Sequence, residues 1–138
     1  MNKDYKLLEQ VAVSSHEDHR GFLGVCEFFS ELGFEAKRFY YISEVDSGVV
    51  RGRHAHKTLK QVYVCLSGQF TLSATDGELS QSITLHSKSD AVYVKPGLWR
   101  EMLDFSSDAI CLVIASHKHD PDDYIFDFEE YKRWRNEK

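Results

Sequence analysis

Short apolar runs broken by polar turns recur along this chain, and their alternation has the two-residue period of strands. A mostly apolar run over residues 5–13 predicts an opening strand, and the polar stretch 14–21 predicts a turn. Residues 22–29 read as a second strand and 30–33 as a loop. Arg38-Phe39-Tyr40-Tyr41-Ile42, rich in aromatic and β-branched residues, favours a strand. A strand follows at 51–56 and another at 60–66. Asp76-Gly77 marks a turn between strands near 71–72 and 83–85, and Lys95-Pro96-Gly97 closes a strand at 91–94. The last strands are expected at 101–105 and 109–115. Many short strands at this spacing predict an all-β sandwich or barrel, an architecture whose closure removes exposed edges. The tail differs in kind. Asp120 before Pro121 predicts a helix start, and Asp122 and Asp123 suit its first turn. Tyr124, Phe128 and Tyr131 fall at helical spacing, and Lys132, Arg133 and Arg135 suit the last turns. The expectation is one short C-terminal α-helix packed on the barrel.

Composition narrows the class. A chain of 138 residues, 42% hydrophobic and 28% charged, fits a single domain over residues 1–138 with a substantial core. Two prolines and eight dispersed glycines give no linker signal. A net charge of −5 weighs against nucleic acid as a partner but leaves room for a local basic pocket. No apolar stretch has the length of a signal sequence core or a membrane span, so the expectation is a cytoplasmic protein without a membrane partner. The three cysteines, Cys26, Cys65 and Cys111, are widely spaced and suit free thiols in a reducing compartment better than disulfides or a zinc site.

Candidate chemistry centres on Arg51-Gly52-Arg53-His54-Ala55-His56. Side chains two apart on a strand point the same way, so His54 and His56 project together. The spacing from this pair to Gln61 and Gly68 follows the first motif of cupin barrels, which predicts a double-stranded β-helix, or jelly roll. That motif normally carries Glu where Gln61 stands, and a third His is normally supplied near the position of Trp99 and Arg100. A neutral amide and a permanent cation suit a divalent metal poorly, so no metal and no cofactor is expected. Two neighbouring imidazoles free of metal are suited to moving protons near neutrality. Arg20, beside Gly21, and Arg100, just past a Pro-Gly turn, are candidates for a phosphate clamp. Tyr40, Tyr41, Tyr93 and Trp99 are candidate ring contacts, although core packing is the commoner use of each.

The ordered set of motifs carries a family resemblance. Arg51-Gly52-Arg53-His54-Ala55-His56-Lys57, Leu59-x-Gln61-Val62, Cys65-Leu66-Ser67-Gly68, Val92-Tyr93-Val94, Trp99-Arg100-Glu101-Met102 and Asp123-Tyr124-Ile125 resemble the nucleotide-sugar 3,4-ketoisomerases of the cupin superfamily. The matches extend from about Arg20 to Tyr131. The resemblance implies a homodimeric jelly-roll enzyme with exchanged N-terminal strands. The implied substrate is dTDP-4-keto-6-deoxy-D-glucose, converted to its 3-keto isomer without metal for deoxyaminosugars of surface polysaccharide such as O-antigen. His54 and His56 inherit the catalytic role, with His54 as carbon base and His56 as shuttle between the sugar oxygens. Arg20, Arg51, Lys57 and Arg100 inherit nucleotide and pyrophosphate binding with Trp99, and Gln61 or Tyr41 would steady the enediol oxygens. Arg20-Gly21 resembles members that form galacto-configured products, and Arg100 resembles those that form gluco-configured ones, so the configuration at C4 stays open. The alternatives are a sugar-nucleotide 3,5-epimerase, a non-catalytic effector-binding cupin and a metal-binding cupin.

Overall fold

The computed structural model describes residues 7–138. The chain runs through β1 (Leu8–Ala12), β2 (Ser14–Asp18), β3 (Gly21–Val25), α1 (Phe29–Leu32), β4 (Arg38–Ser43), β5 (Arg51–His56) and β6 (Gln61–Ser67). It continues through β7 (Phe70–Thr75), β8 (Ser80–Leu85), β9 (Asp90–Val94), β10 (Trp99–Leu103) and β11 (Ile110–Ala115). A 3₁₀ turn (Pro121–Asp123), β12 (Tyr124–Ile125) and α2 (Phe128–Asn136) complete it. Two five-stranded antiparallel sheets, ordered β1-β9-β6-β11-β4 and β12-β5-β10-β7-β8, form the jelly roll.

Alternation places the core. Along β6, Gln61, Tyr63 and Cys65 alternate with Val62 and Val64, and all five are buried. Tyr63 and Cys65 join Phe70, Leu72, Leu85, Val92, Val94 and Met102 between the sheets. Val62 and Val64 face the other way and are covered by Phe28, Phe29, Leu32 and Phe34. A strand covered on both faces reads as a continuous apolar run, which is why 60–66 was legible as a strand.

Three expectations change. The polar stretch 14–21 is a hairpin, with β2 exposed at every residue and paired to β3. No apolar alternation marks a strand that has water on both faces. Residues 29–32 form a helical turn closed by Gly33 at φ 78°, where the expectation was strand and loop. In the tail, Asp120 caps the 3₁₀ turn through Asp122 N, and the helix starts later, after Asp127, whose carboxylate accepts from the Glu129 and Glu130 amides. Tyr124 therefore lies on a strand pairing with β5, opposite His56. Of the expected opening strand, residues 5 and 6 lie outside the described residues.

Candidate active site

The site is built on β5 and is re-aimed by a bulge. In the β5–β10 pairing Arg100 faces His54 and Met102 faces Arg51, so Gly52 and Arg53 together oppose Glu101. Gly52 has φ 93° and Arg53 φ 21°, a left-handed turn of the backbone that glycine adopts without penalty. The extra residue puts Arg51 on the same side as His54 although they are three apart, and both line one cavity. It also aims the Gly52 carbonyl at Nδ1 of His54, which donates to it.

The two imidazoles meet edge to face, with ring centroids 4.7 Å apart, and Nε2 of His54 lies 3.1 Å from Nε2 of His56. Nδ1 of His56 lies 3.2 Å from a carboxylate oxygen of Asp123. That carboxylate is held in turn by the Thr58 amide, the Thr58 hydroxyl and the Leu59 amide, at 2.9, 2.7 and 3.1 Å. Tyr124 packs on both rings, at 5.1 Å from His54 and 4.3 Å from His56.

Beneath the pair lies a fully buried cation. Arg100 is 0% exposed. Its guanidinium donates to the Leu98 carbonyl and to Oε1 of Gln61. No carboxylate among the described residues pairs with it. Gln61, also buried, accepts from the Tyr63 hydroxyl and donates to the Tyr40 hydroxyl at 3.0 Å. Burial first, and then the Arg100 charge, hold His54 down to about 4 and push His56 in the same direction. Among the described residues no group of three or more His, Cys, Asp or Glu side chains is placed to hold a metal. At the position of the motif's usual carboxylate, Gln61 spends its amide on Tyr40, Tyr63 and Arg100.

Two cavities flank the imidazoles. One, of about 330 Å³, is lined by Arg38, Tyr40, Arg51, His54, Tyr124 and Phe126 among others. The second, of about 220 Å³, lies on the His56 side and includes Arg38, Lys118, His119 and Asp123. Arg38 lines both, lies over the Tyr40 ring at 5.2 Å, and has a buried Nε without a hydrogen-bond partner.

The structure thus brings together His54, His56, Arg51, Gln61 and Arg100. Gln61 and Arg100 stand behind the imidazoles, fully buried and lining neither cavity, so their burial opposes direct contact with a ligand. Other expected residues lie elsewhere. Tyr41 is 72% exposed on the outer face of β4, and strand alternation puts Tyr40 in the cavity instead. The same rule turns Trp99 away from the barrel interior that holds Arg100. Its ring packs on Phe128 and Tyr131, and its Nε1 donates to Glu101. Lys57 is exposed just past the end of β5, where the alternation no longer holds, and its amide donates to the Asp123 carbonyl. Arg20 sits at the tip of the β2–β3 hairpin, paired with Asp18 at 2.6 Å, and lines neither cavity.

Asp123, Tyr124 and Arg38 complete the site without having been assigned to it, together with Tyr40, one of the four candidate ring contacts. Asp123 was legible as helix-terminal charge and as part of the Asp123-Tyr124-Ile125 motif, but not as the partner of His56, which is 67 residues away. A signal for Arg38 and Tyr40 did exist in the alternation of 38–42, whose phase the sequence leaves undefined.

Comparison with known proteins identifies the family. A protein-family model described as FdtA, WxcM-like, C-terminal, matches residues 3–136. The chain is 43% identical over 117 residues to a TDP-4-oxo-6-deoxy-alpha-D-glucose-3,4-oxoisomerase of Aneurinibacillus thermoaerophilus, covering 85% of this chain and 84% of the relative. It superposes with TM-score 0.91 and 31% identity on a histidine-to-asparagine variant of the 3,4-ketoisomerase QdtA from Thermoanaerobacterium thermosaccharolyticum. That structure is a complex with TDP-4-keto-6-deoxyglucose, and 97% of each chain is covered. A TDP-quinovose 3,4-ketoisomerase of Campylobacter jejuni is similar with TM-score 0.86 and 36% identity, over 94% of this chain and 99% of the other.

Proposed function

This chain belongs to the FdtA family, WxcM-like, C-terminal, and from that premise we infer the reaction and the groups that carry it. The protein is a dTDP-sugar 3,4-ketoisomerase with the cupin fold. Its substrate is dTDP-4-keto-6-deoxy-D-glucose and its product the 3-keto isomer. The ketone moves when the C3 proton is removed, an enediol forms, and a proton returns at C4 while another passes between the two oxygens. His54, which lines the open cavity, takes the proton from C3 and returns one to C4. His56 gives a proton to O4 as the enediol forms and recovers one from O3 as the new ketone closes. No net proton is consumed. The observation that carries this reading is the pair itself: two imidazoles, Nε2 to Nε2 at 3.1 Å, at the wall of a basic cavity.

The surroundings support the assignment. Burial and Arg100 favour the neutral form of His54, the form a base needs. The fixed cation behind the pair also opposes the negative charge that develops on the enediol oxygens. Arg38 and Arg51 offer guanidinium groups to the diphosphate, and the stacked rings of Tyr124 and Phe126, 5.0 Å apart, give an apolar wall.

A homodimer accounts for surfaces that one chain leaves open. Edge strand β4 exposes Phe39 at 73% and Tyr41 at 72%, and the β2–β3 hairpin packs mainly on itself. Exchange of the N-terminal strands between subunits would carry Arg20 to the partner's cavity. The free thiols Cys65 and Cys111, both buried, suit the cytoplasm. A 3-keto product suits transamination, so the next enzyme is an aminotransferase leading to a deoxyaminosugar of a surface polysaccharide. Incubation with dTDP-4-keto-6-deoxyglucose in deuterated water, followed by proton NMR, tests the reading. Deuterium at C4 of a 3-keto product is the expected result, and its coupling pattern gives the configuration. Binding without exchange at C3 or C4 overturns the reading in favour of a non-catalytic module.

A further inference from the structure

The hydrogen bonds around the two histidines fix where their protons sit. The Gly52 carbonyl can only accept, so Nδ1 of His54 carries a proton. The Asp123 carboxylate accepts from two amides and a hydroxyl and, as an acceptor, faces Nδ1 of His56. Nδ1 of His56 therefore carries a proton as well. If both rings were neutral, each Nε2 would present a lone pair, and two lone pairs would face each other at 3.1 Å. That distance is a hydrogen-bond distance and needs one proton between the rings.

We propose that Asp123 is a positioning residue of the isomerisation, and that with the Gly52 carbonyl it confines a single shared proton to the space between Nε2 of His54 and Nε2 of His56. The resting pair then holds one acid and one base at once. When His56 passes the shared proton to O4, the lone pair of His54 that had accepted it is released to take the proton from C3. After the enediol forms, His54 carries the carbon proton and His56 is neutral; return of a proton to C4 and capture of the O3 proton restore the starting state. Atoms and charges balance without a further reactant.

Of the groups facing the pair, one carboxylate favours positive charge and the others oppose it. Arg100 from β10 and Arg38 from β4 oppose positive charge, as do His119 and the burial itself. Asp123, 3.2 Å from His56, offsets it. Tyr124 packs on both rings. A second proton has no such compensation.

The role rests on the isomerase reading, but its proton positions can be read without turnover. In the full chain with histidine labelled by nitrogen-15, two-bond correlation spectra near pH 7.5 report which ring nitrogens carry protons, with His54→Asn and His56→Asn giving the assignments. Both Nδ1 atoms are expected to be protonated, with the Nε2 signals averaged over a shared proton. A bare Nδ1 on either ring overturns the proposal. Asp123→Asn is expected to lower kcat by roughly 10²-fold or more, with KM changed only a few-fold, and to change the His56 nitrogen shifts. Full kcat in that variant overturns the proposal. If wild-type protein shows the expected shifts but no isomerisation, the reaction assignment falls while the proton arrangement stands.

Discussion

Replacing the two histidines one at a time separates their roles. His54→Asn removes the base. Positioned proton transfer contributes roughly 10²–10⁴ in rate, so kcat should fall by that factor, which is about 3–5 kcal/mol of transition-state stabilisation. The structural loss is smaller. His54 is half-buried, gives up one hydrogen bond to the Gly52 carbonyl and one to His56, and leaves ring contacts with Tyr124 and Phe126. At about 1 kcal/mol per hydrogen bond, the fold tolerates this. Because Arg38 and Arg51 are untouched, affinity for dTDP should stay within a few-fold. His56→Asn leaves the base but removes the shuttle, so the variant should still wash deuterium from solvent into C3 while forming little 3-keto product. The assay is proton NMR in deuterated water, following exchange at C3 separately from appearance of the product. Exchange at C3 at the wild-type rate in His54→Asn would refute the base assignment. Exchange lost in His56→Asn but kept in His54→Asn would reverse the roles.

Other consequences follow from the same geometry. The base works when unprotonated, and burial with Arg100 holds His54 down to about 4, so the acid limb of kcat/KM should lie well below the ordinary histidine value near 6.5. A pH profile with its acid limb at 6.5 would contradict that. Tyr40→Phe removes the hydroxyl that accepts from Gln61 and faces the cavity, and should lower kcat/KM about fivefold, worth about 1 kcal/mol. Tyr41→Phe, on the outer face, should change steady-state kinetics by less than about twofold, since surface substitutions away from special contacts stay near ±0.5 kcal/mol. Gly68→Ala is a stability test. At φ +65° its new Cβ would fall 2.7 Å from the Ala109 amide nitrogen, backbone that cannot step aside, so a loss of about 2–4 kcal/mol is expected in denaturant unfolding.

The chain's alternation determined most of the barrel. Strands buried on one or both faces announce themselves, because apolar residues must recur every second position or without a break. His54 and His56 were legible for the same reason, two residues apart on one strand. From their chemistry alone, Gln61 and Arg100 are poor partners for a divalent metal. What tertiary structure decided was phase and distance. Whether Tyr40 or Tyr41 turns inward depends on the register of β4 against β11, where Val113 pairs with Tyr40 and Leu112 with Tyr41. Trp99 and Arg100 are adjacent in sequence and lie on opposite sides of a sheet, one under α2 and one in the barrel. The bulge at Gly52 and Arg53 is a departure from alternation that no periodicity forecasts, yet it aims both Arg51 and the Gly52 carbonyl. Asp123 lies beyond any local pattern. Only the pairing of β12 with β5 carries it to Nδ1 of His56, and only there does a helix-terminal acid become the group that sets a histidine's proton.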